Sequence, residues 1–470
     1  MSDENEKRLS RDDLLRYFYE SGTPREDFRI GTEHEKFGFY REQRTPLPFE
    51  GERGIEAILK AIIADETDRE AHGVWAPILE NDRVIGLSRG GASVTLEPGG
   101  QLELSGAPLQ TAHHICREVH HHLALLRRIC LPLNVGFVGL GFHPSASYDE
   151  LPTMPKSRYD IMRAYMPTRG TRGLDMMKRT CTVQANFDFV DESDMVQSFQ
   201  AALRLSPFVT ALFANSPFRD GVPSGKQSER AWVWLDTDPD RCGFPEPFFR
   251  SDFGFETYLE WVLDVPMYFV KRNENYLNYA GASFREFMEK GLDGHFPTLS
   301  DFEAHLTVVF PEVRLKRYLE TRSADCGAWS AICALPALWK GLLYDVQSRD
   351  LAHALVQDAT PDELRVLQHD VSHHGFKATF RGRSVLDICA DLVDLSRAGL
   401  TRLAAQSSHV SEVRFLSVLE ERIDAGQSFA DVLLDKYHGK WGGDLSLLWE
   451  EIEFFNPSNS GAETTATDAD

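Results

Sequence analysis

Apolar and polar residues alternate along several stretches of this 470-residue chain, and each such stretch predicts a strand. In the run 30–39, Ile-Gly-Thr-Glu-His-Glu-Lys-Phe-Gly-Phe, the alternation puts Glu33 and Glu35 on one face together with Phe37 and Phe39. Residues 179–189 alternate cleanly, with Thr180, Thr182, Gln184, Asn186 and Asp188 on one side and Cys181, Val183, Ala185, Phe187 and Phe189 on the other. Residues 313–322 do the same, with Arg314, Lys316, Tyr318, Glu320 and Arg322 sharing a face. Residues 93–105 read as a hairpin turned by Pro98-Gly99-Gly100, and 135–142 as a Gly-rich apolar strand. The hairpin leaves two registers open. A three-residue loop sets Glu97 opposite Gln101 with Glu103 on the same face, whereas a two-residue loop points Glu97 and Glu103 to opposite faces.

Helical patterns cover 10–21, where Ser10 is the N-cap and Asp13 stands three residues on, and also 55–64 and 108–130. After Pro336 the chain is mostly helical to about residue 452. This order predicts an α+β protein, an antiparallel sheet with one apolar face under helices. The other face is rich in carboxylate, amide and guanidinium groups. It is either the floor of an active site or a set of wet outer strand faces.

The formal charge of −22 repels nucleic acid and anionic membrane, so neither is expected as a partner. No apolar run approaches membrane-spanning length. The first residues are acidic, with neither a secretory nor a transit pattern, and the seven scattered cysteines include no CxxC pair; together these predict a cytoplasmic protein with reduced thiols. The tail 456–470 is small, polar and acidic and reads as disordered, leaving 1–455 as one catalytic domain.

Two carboxylates converging from one strand suit a hard cation such as Mg²⁺. In the three-residue register Glu33, Glu35, Glu97, Glu103 and Glu320 make five acids, enough for several Mg²⁺ ions with one nucleotide. Lys156, Arg158, Arg163, Arg169, Arg172, Lys178 and Arg179 concentrate base within one segment, a composition that suits phosphate or carboxylate ligands or a solvated helix. The turn Gly170-Thr-Arg-Gly173 offers backbone N–H groups to an anion. There is neither a GxxxxGK[ST] nor a GxGxxG after a strand. His113, His114, His120, His121 and His122 fit a surface helix better than a metal site. Cys326 and Cys333 are seven apart and stack if helical, but nothing marks either as a nucleophile.

These segments resemble the plant-type glutamate–cysteine ligases that also occur in proteobacteria. The likeness is carried by Gly31-Thr-Glu-His-Glu-Lys-Phe-Gly-Phe39, Met154-Pro-Lys-Ser-Arg-Tyr159, the run 173–189, Ala214-Asn-Ser-Pro-Phe218, Asp264-Val-Pro-Met-Tyr-Phe269 and the run 310–325. The resemblance implies a glutamine-synthetase-like carboxylate–amine ligase fold, a curved antiparallel sheet forming a funnel with helices outside. It implies ATP-dependent joining of L-glutamate to L-cysteine, the first step of glutathione synthesis, with ATP and Mg²⁺ required. By that resemblance Glu33, Glu35, Glu97, Glu103 and Glu320 hold Mg²⁺ near Gln184. Arg158 lies near the reacting γ-carboxyl or phosphate, Arg230 grips a substrate carboxylate and Arg322 sits at the phosphoryl centre. Tyr268 and Trp329 wall the cysteine pocket. From the basic cluster, Lys156, Arg169 and Arg172 are expected as phosphate ligands. Plant members carry a redox-sensitive cysteine pair after the Val-Pro-Met-Tyr-Phe segment. Residues 275–296 here contain no cysteine, so that control is expected to be absent. A ligase with another amine acceptor, or an inactive Mg²⁺–nucleotide binder, are the alternatives.

Overall fold

A computed structural model describes residues 8–273, 275–407 and 409–456. Its centre is a nine-stranded, wholly antiparallel sheet. The strands are β1 (Ile30–Tyr40), β2 (Ala76–Glu80), β3 (Arg83–Arg89), β4 (Ala92–Leu96), β5 (Leu102–Ser105), β6 (Val135–Val138), β7 (Thr182–Phe187), β8 (Val313–Leu315) and β9 (Leu319–Asp325). They run in the order β8-β9-β7-β1-β5-β4-β3-β2, and the far half of β1 pairs with β6. β1, which carries Glu33 and Glu35, is therefore central, and β5 with Glu103, β7 with Gln184 and Asn186, and β9 with Glu320 lie within two places of it.

The helices that matter here are α1 (Arg11–Tyr19), α2 (Ile55–Ala64), α3 (Ala112–Cys130), α4 (Ser157–Tyr165), α5 (Glu192–Leu212), α6 (Glu229–Trp234), α7 (Trp329–Leu343), α8 (Pro361–His374) and α9 (Val385–Gln406). α1 starts at the expected capping box, with Ser10 accepting from Asp13 N and Asp13 accepting from Ser10 N. α3, α5 and α7 pack on the back of the sheet, and α9 packs outside α7. Leu104, Val183, Ala185, Phe187 and Leu319 are buried there. So are His34 and Lys36, both with no exposure. Lys36 Nζ lies 3.1 Å from His34 Nδ1 and donates to His34 O at 3.2 Å. Burial pulls the Lys36 amine down to about 8.

The β4–β5 hairpin takes the three-residue register: Leu96 pairs with Leu102 and Thr95 with Glu103, and Glu97 N donates to Gln101 O at 3.0 Å. Four expectations shift. Residues 313–322 are not one strand but a hairpin, β8 and β9, whose register Arg314↔Glu320 preserves the shared face. The helix expected from 108 begins at Ala112 with Thr111 as N-cap, because Leu109 instead bridges to Ile30. The strand expected over 135–142 ends at Val138. The C-terminal helical region begins at Trp329, and Pro336 lies inside that helix. Apart from Asn456, the expected tail lies outside the described residues.

Gly99 at the hairpin turn tests the packing of this end of the sheet. A Cβ there would stand 2.3 Å from Lys178 O and 2.8 Å from Lys178 Cα, backbone atoms that cannot swing aside. Gly99→Ala is expected to destabilise the protein by about 2 kcal/mol, read as a lower urea midpoint. An unchanged midpoint would show that the loop and residue 178 are not in close contact.

Candidate active site

The open face of the sheet gathers the acids because strand periodicity leaves it no alternative. Glu33 and Glu35 project from β1, Glu103 from β5 opposite Glu35, and Glu320 from β9 opposite Asn186. Glu97 follows β4 on the face of Thr95 and Glu103. Uncharged donors line up against these carboxylates. Gln184 Nε2 and Asn186 Nδ2 donate to Glu33 at 3.1 and 2.8 Å. Thr182 N donates to Glu35 at 3.0 Å, and Thr95 and Ser105 donate to Glu103 at 2.9 and 2.8 Å. Glu320 is different. It accepts from Arg314 at 2.7 and 2.9 Å, lies 2.9 Å from Lys316 Nζ and also receives Arg322.

The pairing of β9 with β7 is irregular beside Arg322. Thr321 pairs with Ala185 and Ala324 with Val183, so two residues, Arg322 and Ser323, oppose the single Gln184. Arg322 Nη1 donates to Gln184 Oε1 at 2.5 Å. Arg230, at the start of α6 and 3% exposed, donates from Nη2 to Arg322 O at 2.7 Å, while its Nε is buried without a partner. Arg230, Trp234, Phe310, Glu312 and Arg322 line a small recess beside the acids.

The electrostatics divide the face. Burial, then Glu320 and Glu103, push the Glu33 carboxyl up to about 7. Burial with Glu97 and Glu103 raises Glu35 well above the usual carboxylate range, and burial with Glu97 raises Glu103. Burial opposes the charge of Glu320 as well, but Arg314, Lys316 and Arg322 outweigh it and hold that carboxyl well below its ordinary value.

Other candidates are placed as follows. Lys156 Nζ and Tyr159 OH both donate to Leu96 O, at 2.8 and 2.7 Å, beside the Glu97 end of the hairpin. Arg158 lies over the Tyr159 ring at 5.1 Å. Arg169 pairs with Asp240 and Asp238, and Arg172 donates to Trp232 O at 2.8 Å with its guanidinium 3.7 Å from that ring. The 170–173 turn does not present its N–H groups to an anion, because Thr171 N and Arg172 N already donate to Asp236. Arg169 and Arg172 thus brace that turn. The Trp329 ring packs 4.5 Å from His120 of α3. Tyr268 is fully buried against Arg241 and Tyr165, with its hydroxyl unpartnered. The five histidines spread around α3: His113 against Phe415, His114 beside the Thr111 hydroxyl at 3.0 Å, His120 against Trp329, His121 against His72 and His122 against His34. Cys326 precedes α7 and donates to Glu35 O at 3.0 Å, whereas Cys333 lies beside Cys116 of α3, so Cys326 and Cys333 do not stack. Arg314, Lys316 and Asn186 belong to the face although no separate role was expected for them; their signal was the shared alternation with Glu320 and Gln184.

The donor set suits a hard divalent cation. It is made of carboxylate and amide oxygens, and Asn186 Oδ1 is buried with no partner. Among the described residues no three His, Cys, Asp or Glu groups already converge as a closed cage. Side-chain donors occupy the oxygens that a cation would take.

The fold, an antiparallel sheet layered with helices, is shared with a solved ligase. The glutamate–cysteine ligase of Francisella tularensis, in complex with AMP, matches with a TM-score of 0.58 over 93% of this chain and 90% of that one, at 12% identity. This likeness shows the carboxylate–amine ligase fold expected from the sequence. A sequence model described as glutamate–cysteine ligase family 2 matches residues 29–451, and the chain belongs to that family. The chloroplastic glutamate–cysteine ligases of Nicotiana tabacum and Arabidopsis thaliana are 45% and 44% identical over 447 residues, covering 94% of this chain and 83% of each relative. Relatives of this similarity from tobacco, Arabidopsis and rice are all chloroplast enzymes, which overturns the cytoplasmic expectation. Among the described residues no helix is long and apolar enough to cross a membrane.

The raised acids make a pH prediction. A carboxyl whose folded pKa lies above its unfolded value binds extra protons in the folded state. Its stabilisation is full at low pH and is lost as pH rises through the folded value. Without divalent cations, Glu33 should therefore lower stability over a window that ends as pH rises through about 7, and Glu35 and Glu103 act in the same direction. Glu320 has the opposite sign and acts only in acid, below that window. Mg²⁺ competes with protons for the same oxygens. The gain in Tm with Mg²⁺ over EDTA is expected to be larger at pH 8 than at pH 6. A gain independent of pH, or none at pH 8, would remove the acids as its binding site.

Proposed function

We propose that this face joins the γ-carboxyl of L-glutamate to the amine of L-cysteine in two stages. The γ-carboxylate attacks the γ-phosphate of ATP, releasing ADP and leaving γ-glutamyl phosphate. The cysteine amine then attacks the acyl carbon, releasing phosphate and γ-glutamylcysteine, the first step of glutathione biosynthesis. The observation that carries the reading is the meeting, on one wall in a member of this family, of five carboxylates with Arg322 and Arg230. Glu33, Glu35, Glu97, Glu103 and Glu320 would hold Mg²⁺, which when bound neutralises nucleotide phosphate charge. Arg322, fixed by Gln184 and Glu320, faces the charge that spreads over the transferring phosphoryl group. Arg158 and Lys156 add positive charge at the Glu97 end. Arg230 is the clamp for a substrate carboxylate, supported by its unpartnered Nε. Tyr268 remains a wall of the cysteine pocket, its free hydroxyl available to a polar group of substrate. No protein nucleophile is needed, and the buried thiols Cys181 and Cys326, both pushed up by burial, are poorly suited to be one. Residues 1–455 act as one catalytic unit on this reading, supported by a continuous core from Leu14 to Phe455. Phosphate release from ATP should require both amino acids. Release that ignores cysteine, or that prefers another amine acceptor, would refute the assignment.

Glu33→Gln or Glu35→Gln removes one charge while keeping shape, and turnover should fall at least about 10²-fold. Near-normal turnover in both variants at saturating Mg²⁺ would rule out the metal role.

Arg230→Lys keeps the charge and loses the two-pronged donor. The KM for one amino acid should rise while that for ATP barely moves. Unchanged KM values for both amino acids would sink the clamp.

A further inference from the structure

Two opposite charges line the small recess beside the acids without bonding to each other. Arg230 enters it from α6, and Glu312 from the residues just before β8. Each is pinned by its far side. Arg230 Nη2 donates to Arg322 O at 2.7 Å. Glu312 Oε2 accepts from Ser323 Oγ at 3.0 Å. The Glu312 backbone is tied as well: its N donates to Gly243 O at 3.0 Å, and its O accepts from Arg322 N at 3.2 Å.

The near sides are unanswered. Among the described residues, neither Glu312 Oε1 nor Arg230 Nη1 has a hydrogen-bond or ion-pair partner. Both atoms keep accessible surface, whereas Arg230 Nε is enclosed. Burial pushes the Glu312 carboxyl up, and Arg230, Ser323 and Arg322 oppose this only in part, so the acid is short of positive charge. Free opposite charges in a partly buried recess would close on one another. Here the scaffold holds them apart. The recess they share has a volume of about 10 Å³, room for one water-sized group, with Trp234 and Phe310 as walls. An ammonium is such a group. A fixed carboxylate and a fixed guanidinium that do not pair are complementary to a zwitterion.

Given the ligase reaction proposed for this face, we infer that Glu312 is a specificity-determining residue for L-glutamate, holding its α-ammonium while Arg230 holds its α-carboxylate. Glutamate reacts through its γ-carboxyl, so both α-groups keep their charges throughout and suit fixed partners. Cysteine reacts through its α-amine, which must give up a proton and reach the acyl carbon. A carboxylate that pins an ammonium therefore suits glutamate and not cysteine. A dicarboxylate without the amine can meet Arg230 but leaves Glu312 unanswered.

Glu312→Gln keeps the shape and removes the charge, with Tm as the check on folding. Read by phosphate release, the KM for glutamate should rise at least about tenfold, while those for cysteine and ATP stay within about twofold. Glutarate, which lacks the α-amine, is the control. As an inhibitor competing with glutamate, it should bind the variant no less tightly than the wild type, an outcome that general damage to the site would not give. In the wild type alone, glutarate should bind at least about tenfold more weakly than glutamate. An unchanged KM for glutamate, a rise for cysteine in its place, an equal loss for glutarate and glutamate, or a wild type that binds both alike would each overturn the assignment. Those outcomes leave the ligase reaction standing. Wild-type phosphate release that ignored glutamate would remove that reaction, and the role of Glu312 with it.

Discussion

Mutual repulsion of carboxylates held on one side of an antiparallel sheet is the constraint around which this protein is organised. Strand periodicity puts Glu33 beside Glu35 and sets Glu35 across from Glu103. Directly opposed residues have Cα atoms about 5 Å apart, and two unit charges at that spacing repel by about 3 kcal/mol at an effective dielectric of 20. The protein does not remove this tension by pairing every acid with a base. It gives Glu33, Glu35 and Glu103 neutral donors from Gln184, Asn186, Thr182, Thr95 and Ser105, which satisfy oxygens without neutralising charge. Part of the charge is answered from behind, where Lys36 is buried on the opposite face of the same strand. Burial first, and then the repulsion that is left, raise the carboxyl pKa values, a standing preference for a proton or a metal ion.

Much of this was legible in the sequence, because a period of two sorts side chains whether or not strand ends are known. The 30–39 run and the Pro98-Gly99-Gly100 hairpin placed four of the five acids, and the observed register is the three-residue alternative. The 313–325 segment shows why a boundary error need not spoil a face. Lys316-Arg-Tyr318 contains no Gly, Pro, Asn or Asp to announce a turn, so the hairpin looks like one strand. The fold-back pairs Arg314 with Glu320, residues of the same parity, and the shared face survives.

The illegible parts depend on partners far away in the chain. Base density between 156 and 179 carries no record of Asp236, Asp238 and Asp240, which engage Thr171 and Arg169 from some seventy residues on. Of the seven bases, Lys156 and Arg158 stay beside the acid-bearing hairpin. Trp329 was out of reach for a related reason. It opens α7, and only the packing of α7 on α3 sends its ring to His120.

The face is polarised along the sheet, and this polarity bears on what each end can receive. At the β9 end Glu320 is saturated by Arg314, Lys316 and Arg322, and Arg230 stands just beyond, so local charge is positive and an anion is welcome. At the β5 end Glu35, Glu103 and Glu97 have no guanidinium partner among the described residues, and carboxylates outnumber the nearby bases Lys156 and Arg158. Glu33 lies between them, bound to Gln184, which itself accepts from Arg322. A metal–nucleotide and an amino acid with a free carboxylate need these two environments within reach of each other. Arg322 joins them: it donates both to Gln184 and to Glu320, and at the bulge it shares the place opposite Gln184 with Ser323. The cation-seeking and anion-seeking halves of the site thus meet through a single amide.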